Sequence, residues 1–211
     1  MVRDILLGRP VWDIDIVVEG GSALELAKAV AQLYNVKLHK FDQFGTAHLK
    51  VGNLKVEFAT ARRERYERSG AYPEVEPATL KEDLLRRDFT INTLAIALNS
   101  DRFGTLIDYL GGVEDLQKGV IRVLHSLSFV EDPVRILRAL RFAGRFGFDL
   151  SRGTKSLLRR AVELNVLKSA PKGRIASELR LALREERFLD ILNLYKEYKI
   201  CLLYTSPSPR D

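Results

Sequence analysis

Polar and apolar residues alternate through DIDI, Asp13 to Ile16, and the run turns wholly apolar at Val17 and Val18. A period of two that ends in an apolar stretch predicts a strand over 13–18 entering a core. Two glycines and Ser22 come next, and from Ala23 to Leu33 the apolar residues recur at helical spacing, so Ser22 reads as the N-cap of a helix. Thr46 to Val51 and Leu54 to Ala59 read as two more strands, joined by the Gly52-Asn53 turn. Together these predict a small mixed sheet with at least one covering helix.

From Thr79 the period becomes helical. Leu80, Leu84, Leu85, Phe89, Ile91, Leu94 and Leu98 predict mostly helix across 79–99, broken by the charged Arg86-Arg87-Asp88 cluster. Thr105 to Tyr109 is strand-like, and Gly111-Gly112 marks a turn suited to a domain joint. Beyond it the pattern predicts a short strand over Val120 to Leu124, then helices beginning at Asp132-Pro133, near Ser151, near Ile175 and near Phe188. There is no internal repeat. The expected class is α+β: a mixed sheet with helices as a head, followed by an all-α portion.

Composition narrows this picture. The 211 residues are 46% hydrophobic and 29% charged, with 34 basic against 28 acidic side chains, a net of +6. That is the make-up of a soluble globular protein with a mild expectation of a polyanionic partner such as nucleic acid. No window reaches the run of about 18 apolar residues that a membrane span needs, and no secretory signal opens the chain. The single cysteine cannot pair within the chain, so a reduced, cytoplasmic protein is expected. Cys201 to Asp211, CLLYTSPSPRD, does not continue the helical pattern and reads as a non-native, adapter-derived tail. Met1 runs straight into VRDILLGRP with no upstream strand, so a piece truncated at both ends is expected.

Three groups of residues could carry chemistry. Asp13 and Asp15 are two apart on a strand, so both carboxylates leave the same face. Mg²⁺ takes one or two such carboxylates along with substrate phosphates. Glu57, on a neighbouring strand, could supply a third oxygen. A bare D-x-D is, however, also a common solvated strand face.

In EDPVRILRALRF, Glu131 to Phe142, Asp132 before Pro133 has the form of a helix N-cap. Glu131, Asp132 and Arg135 are spaced to meet on one face, with Arg138 and Arg141 extending a basic stripe. On spacing alone, a capped amphipathic helix with exposed ion pairs is the favoured account. Alternatively, Asp132 and Arg135 could read a base edge. Cytosine and adenine present an exocyclic amine beside an unprotonated ring nitrogen, which suits one acceptor and one donor. Uracil and guanine would leave those groups unpaired, and such sites reject analogues strongly. The third group, RRDFTIN from Arg86 to Asn92, suits ribose or phosphate, or equally a set of buried ion pairs. His39, His48 and His125 lack ligand spacing. No P-loop, Rossmann glycine pattern or nucleophile elbow occurs.

Taken together, VRDILLGRPVWDIDIVVEG, FGTA at Phe44 to Ala47, VEFATAR, RRDFTINTLAI, LIDYLGGVEDL, EDPVRILRALRFAGRFGF and GRIASEL resemble the class II tRNA nucleotidyltransferase (CCA-adding enzyme) and bacterial poly(A) polymerase family. The resemblance implies a nucleotidyltransferase head over 1–119, a nucleotide-selecting helical neck over 120–172 and the start of a helical body over 173–200. It implies Mg²⁺ held by Asp13, Asp15 and Glu57. It places Arg3, Arg87, Asp132, Arg135, Arg138 and Arg141 on the nucleotide, with Glu131, Asp88 and Asn92 in support. The implied reaction adds C, A or both to a tRNA 3′ end from CTP and ATP by in-line attack on the α-phosphate, releasing pyrophosphate. Poly(A) synthesis by the same family and a non-catalytic basic RNA-binding module are the alternatives. The loop-like stretch from Ala61 to Pro77 resembles that of members adding the terminal A. Gly173 departs from the family pattern, where glutamate is common, and is expected to loosen its helix start.

Overall fold

Strand β1 (Asp13–Val18) pairs in parallel with β4 (Leu54–Thr60), which runs antiparallel to β3 (Thr46–Val51), which in turn pairs with β2 (Leu38–Phe41). The four strands form one mixed sheet in the order β1-β4-β3-β2. The computed structural model describes residues 1–41, 46–65 and 74–200. The tail over 201–211, residues 66–73 of the loop over 61–77, and Phe44 and Gly45 of FGTA lie outside the described residues.

Helix α2 (Ala23–Leu33) covers one face of the sheet. The Ser22 hydroxyl accepts the backbone N–H of Glu25 at 3.3 Å, the expected N-cap. Ala23, Ala27 and Ala31 are buried at i, i+4 and i+8, and their small side chains let the helix lie close on Ala47, Leu49, Val56 and Phe58. Ile14, Ile16 and Val18 of β1 pack against the same core. Gly52, at φ +58°, supplies the left-handed turn between β3 and β4.

Two units divide the described chain. The first holds this sheet, the short helix α1 (Val2–Leu6), the β5–β6 hairpin (Arg62–Arg65, Glu74–Pro77), helix α3 (Leu80–Leu85) and the pair β7 (Ala95–Ile96) and β8 (Leu106–Ile107). The second holds residues 88–92 and everything from Leu110: α4 (Gly112–Gln117), β9 (Val120–Ile121), α5 (Ser128–Glu131), α6 (Arg135–Phe146), β10 (Asp149–Leu150), α7 (Arg152–Glu163), α8 (Lys172–Leu183) and α9 (Phe188–Glu197). The division falls beside Gly111, which caps α4 at φ +74°.

The helix expected across 79–99 stops after Leu85. Thr79 and Glu82 form a reciprocal capping box at its start. Further on, Asp88 Oδ1 accepts its neighbour Phe89's N–H at 2.8 Å, and a 3₁₀ turn follows at Thr90–Asn92. A side chain that captures a nearby backbone donor competes with the helical ladder, and here it wins. The strands expected at 105–109 and 120–124 are shorter, at two residues each, the second pairing in parallel with β10. α8 includes Gly173 in its first turn, and no side-chain hydrogen bond caps its start.

Candidate active site

Since α2 takes the Ile14, Ile16, Val56 and Phe58 face, alternation sends Asp13, Asp15 and Glu57 to the other. Asp13 and Asp15 are both exposed there. The parallel register sets Asp15 beside Glu57, and the antiparallel pairings continue that row to His48 and then His39. The two imidazoles stack with ring centroids 5.0 Å apart. Neither histidine has ligand spacing in the sequence, and only the register puts them in line with the carboxylates.

Among the described residues no three His, Cys, Asp or Glu side chains gather closely enough to hold a metal ion. Glu57 instead pairs with Lys55 at 3.4 Å, two residues earlier on the same face. The donor chemistry still fits a hard divalent cation. Two solvent-facing carboxylates on one strand meet what Mg²⁺ asks of a protein when phosphates and water fill its other positions.

Elsewhere in the first unit, Arg3 binds the adjacent Asp4 through Nε and Nη2 at 2.8–3.2 Å. Arg87 meets the buried Asp83 at 3.3 Å, and Arg86 meets the same carboxylate at 2.6 Å. Asp83 therefore gathers two cations onto α3, and it accepts the Arg62 N–H as well.

In the second unit, Asp132 and Arg135 are neighbours, with Nε and Oδ2 4.0 Å apart. Asp132 caps a preliminary turn, its Oδ1 accepting the Val134 N–H at 3.2 Å, and α6 starts at Arg135 rather than at Pro133. Arg135 is buried and donates to Ser128 Oγ at 2.9 Å, which holds its guanidinium in place. Arg174 Nη2 reaches the other Asp132 oxygen at 2.8 Å. Arg138, Arg174, Val134, Gly173, Ser177 and Glu178 line an open groove of about 280 Å³ next to this pair.

Two residues depart from the expected roles. Glu131 ends α5 instead of sharing a helix with Arg135, and its carboxylate lies 3.3 Å from His125. Arg141 is buried between Glu178, through a short bond at 2.5 Å, and Glu185 at 2.7 Å. The two acids engage its guanidinium and make it a fastener between α6 and the α8 region. Arg138 is divided between Asp88 and Glu178. Asp88 also accepts from Asn92, which steadies the carboxylate that Arg138 of α6 binds.

Arg174 and Glu178, which sequence reading left without roles, sit i and i+4 on α8, and both reach back to the EDPVR segment or α6. Their signal was GRIASEL, whose spacing puts them on one helix face.

Comparison with known proteins follows the same lines. A family model described as the poly A polymerase head domain matches residues 1–122. The A-adding tRNA nucleotidyltransferase of Aquifex aeolicus is 65% identical over 95% of this chain, which corresponds to 24% of that protein. The multifunctional CCA protein of Neisseria gonorrhoeae is 38% identical over 93% of this chain and 46% of its own length. A solved tRNA nucleotidyltransferase, in complex with a primer tRNA and an incoming ATP analogue, superposes with a TM-score of 0.90 at 58% identity. That match covers all of this chain and 58% of the other. The chain thus spans about a quarter of the Aquifex relative and little more than half of that solved structure.

Proposed function

The chain belongs to the poly(A) polymerase head-domain family, and on that premise we propose that it carries the nucleotide-transferring part of a template-independent RNA nucleotidyltransferase, adding A, or C and A, to tRNA 3′ ends from ATP and CTP. The observation that carries this reading is the paired Asp13 and Asp15 on the sheet face turned away from α2, with Glu57 in register beside Asp15. A cytoplasmic location goes with that substrate. Residues 1–119 would serve as head, 120–172 as neck and 173–200 as the start of a body.

Asp13 and Asp15 would hold Mg²⁺. The bound cation would supply charge stabilisation to the phosphate oxygens as the RNA 3′-hydroxyl displaces pyrophosphate. The chain's own part is to keep the two carboxylates exposed and fixed on a strand whose other face is packed. Arg3 and Arg87, anchored on Asp4 and Asp83, would bring their positive charge to nucleotide oxygens.

Asp132 and Arg135 would select the base. Each Asp132 oxygen makes one hydrogen bond within the protein, to Val134 or to Arg174, and a carboxylate oxygen can accept a second. Asp132 could then take the exocyclic amine of C or A while Arg135, held by Ser128, donates to the ring nitrogen. Arg138 would border the base from the groove. A carbonyl and ring N–H, as in U and G, would face the wrong partners.

The test is single-nucleotide extension of a tRNA lacking its 3′ end by the full-length protein. Extension with ATP, or with CTP and ATP, is expected, together with its near-complete loss in Asp13→Ala and Asp15→Ala while RNA binding persists. Equal use of UTP and GTP would overturn the base-reading assignment, and unimpaired transfer in both alanine variants would overturn the enzyme reading.

A further inference from the structure

Residues 151–174 contain seven basic side chains and one acidic one, Glu163. Their net of +6 equals that of the entire chain, so the remaining residues sum to zero. The positive charge is therefore local to α7, the 3₁₀ turn at Val166–Ser169 and the start of α8.

The structure puts this charge on one surface of α7. Thr154, Leu158 and Ala161 turn inward at i, i+4 and i+7. The opposite side carries Arg152, Arg159 and Arg160, all exposed, with Ser156 between them. Lys168 and Lys172 are exposed just beyond. Among the described residues none of these five has a carboxylate within ion-pair distance, whereas their neighbour Lys155 is matched by Asp149 at 3.0 Å. The contrast with α6 is sharp, since Arg138, Arg141 and Arg145 are each matched by an acid there. Clustered like charges repel and give the fold nothing back. A polyanion laid over them relieves that repulsion.

We propose that the solvent face of α7, continued by Lys168 and Lys172, is a docking surface for the phosphate backbone of the RNA substrate. The identity of the polyanion rests on the function proposed above, while the surface itself rests on the charge distribution. Arginine predominates on α7, and its planar fork matches phosphate oxygens two at a time. Arg152 and Arg159 are seven residues, or about 10 Å, apart along the axis, so they address different phosphates. Ser156 between them is small enough to let a strand approach and has a hydroxyl to donate. α7 carries no aromatic side chain for base stacking, so binding here is indifferent to sequence.

The experiment compares the wild-type chain with the triple variant R152E/R159E/R160E. Binding of a labelled RNA hairpin with a single-stranded 3′ end is followed by fluorescence anisotropy from about 50 to about 300 mM KCl, a span wide enough to define the linear fall of log affinity with log salt. All three side chains are exposed, so the thermal melt should be unchanged and should confirm folding. The expected result is at least a tenfold loss of affinity at about 100 mM salt. The slope of log affinity against log salt should shrink by about 2 to 3, at roughly 0.7–0.9 for each phosphate no longer neutralised. Glu163→Lys should shift both in the opposite direction. An unchanged slope in the folded triple variant would overturn the proposal. So would binding to anionic phospholipid vesicles as tight as to RNA and abolished in the same variant. Nucleotide transfer separates this from the function itself. A protein that extends tRNA yet keeps its slope in the variant loses only the docking surface. One that loses RNA binding in the variant but never transfers a nucleotide loses only the enzyme reading.

Discussion

Asp88 and Arg138, fifty residues apart, meet in the second unit through two hydrogen bonds onto one carboxylate oxygen, from Nε at 2.9 Å and Nη2 at 2.6 Å. The other oxygen takes the Phe89 N–H and the Asn92 side-chain amide, each at 2.8 Å. Burial alone would push this carboxyl up. The Arg138 charge and the bonds from Asn92, Arg138 and Phe89 outweigh it and hold the group below the ordinary aspartate range.

Truncating either partner should therefore cost different amounts. Arg138→Ala strands a buried carboxylate, for which a loss of about 3 kcal/mol is expected. Asp88→Asn leaves Arg138 partly exposed and still near Glu178, so its cost should be smaller. Urea unfolding followed by circular dichroism checks the order, and an equal loss in the two variants would refute the asymmetry.

The same pair sets an acid limit. Because the folded pKa of Asp88 is lowered, its contribution is present above the unfolded value near 4 and is lost as pH falls through the folded value. Wild-type stability should drop more steeply below about pH 4 than that of Asp88→Asn. Parallel profiles for the two proteins from about pH 5 to about pH 2 would contradict this.

Gly144 marks a close helix crossing in the second unit. A Cβ at this position would stand 2.5 Å from Ile191 Cγ1 and 3.0 and 3.1 Å from the Ile191 backbone N and Cα. Gly144→Ala should destabilise by about 2 kcal/mol through overpacking of α6 on α9. Adding Ile191→Ala should fail to restore the wild-type melting temperature, because the close backbone approach persists. Full recovery would locate the conflict in the side chain alone.

On the carboxylate face, Glu57 stands beside Asp15 in the sheet register and pairs with Lys55 at 3.4 Å. Asp15→Asn is expected to lower nucleotide transfer by about 10³-fold or more, on the scale of a lost charge-stabilising group. Glu57→Gln should cost only about tenfold. Matching losses, measured as kcat under saturating nucleotide, would instead make Glu57 a full third donor.

Short-range pattern was enough for the elements that build this face. β1, α2 and β3 occupy 13–18, 23–33 and 46–51, the bounds their periodicity predicts. Strand alternation also put Asp13 and Asp15 on one side before any pairing was known. The charged Arg86-Arg87-Asp88 cluster marked the break after Leu85, but the sequence did not show that the chain stays out of the α-helix beyond it, because the apolar period resumes at Phe89, Ile91 and Leu94. What ends the helical pattern is Asp88, whose side chain captures the next backbone N–H while Arg138 holds it from α6.

Partner choice among the charges was settled only by the folded chain. Sequence spacing offered Glu131 to Arg135 and put Arg141 on an exposed basic stripe, yet Glu131 lies by His125 and Arg141 is buried between Glu178 and Glu185. The reason is physical. Periodicity encodes which face of an element is buried, since burial depends on local spacing. Which distant acid meets which base depends on where helices cross, and nothing within a few residues of either group records that.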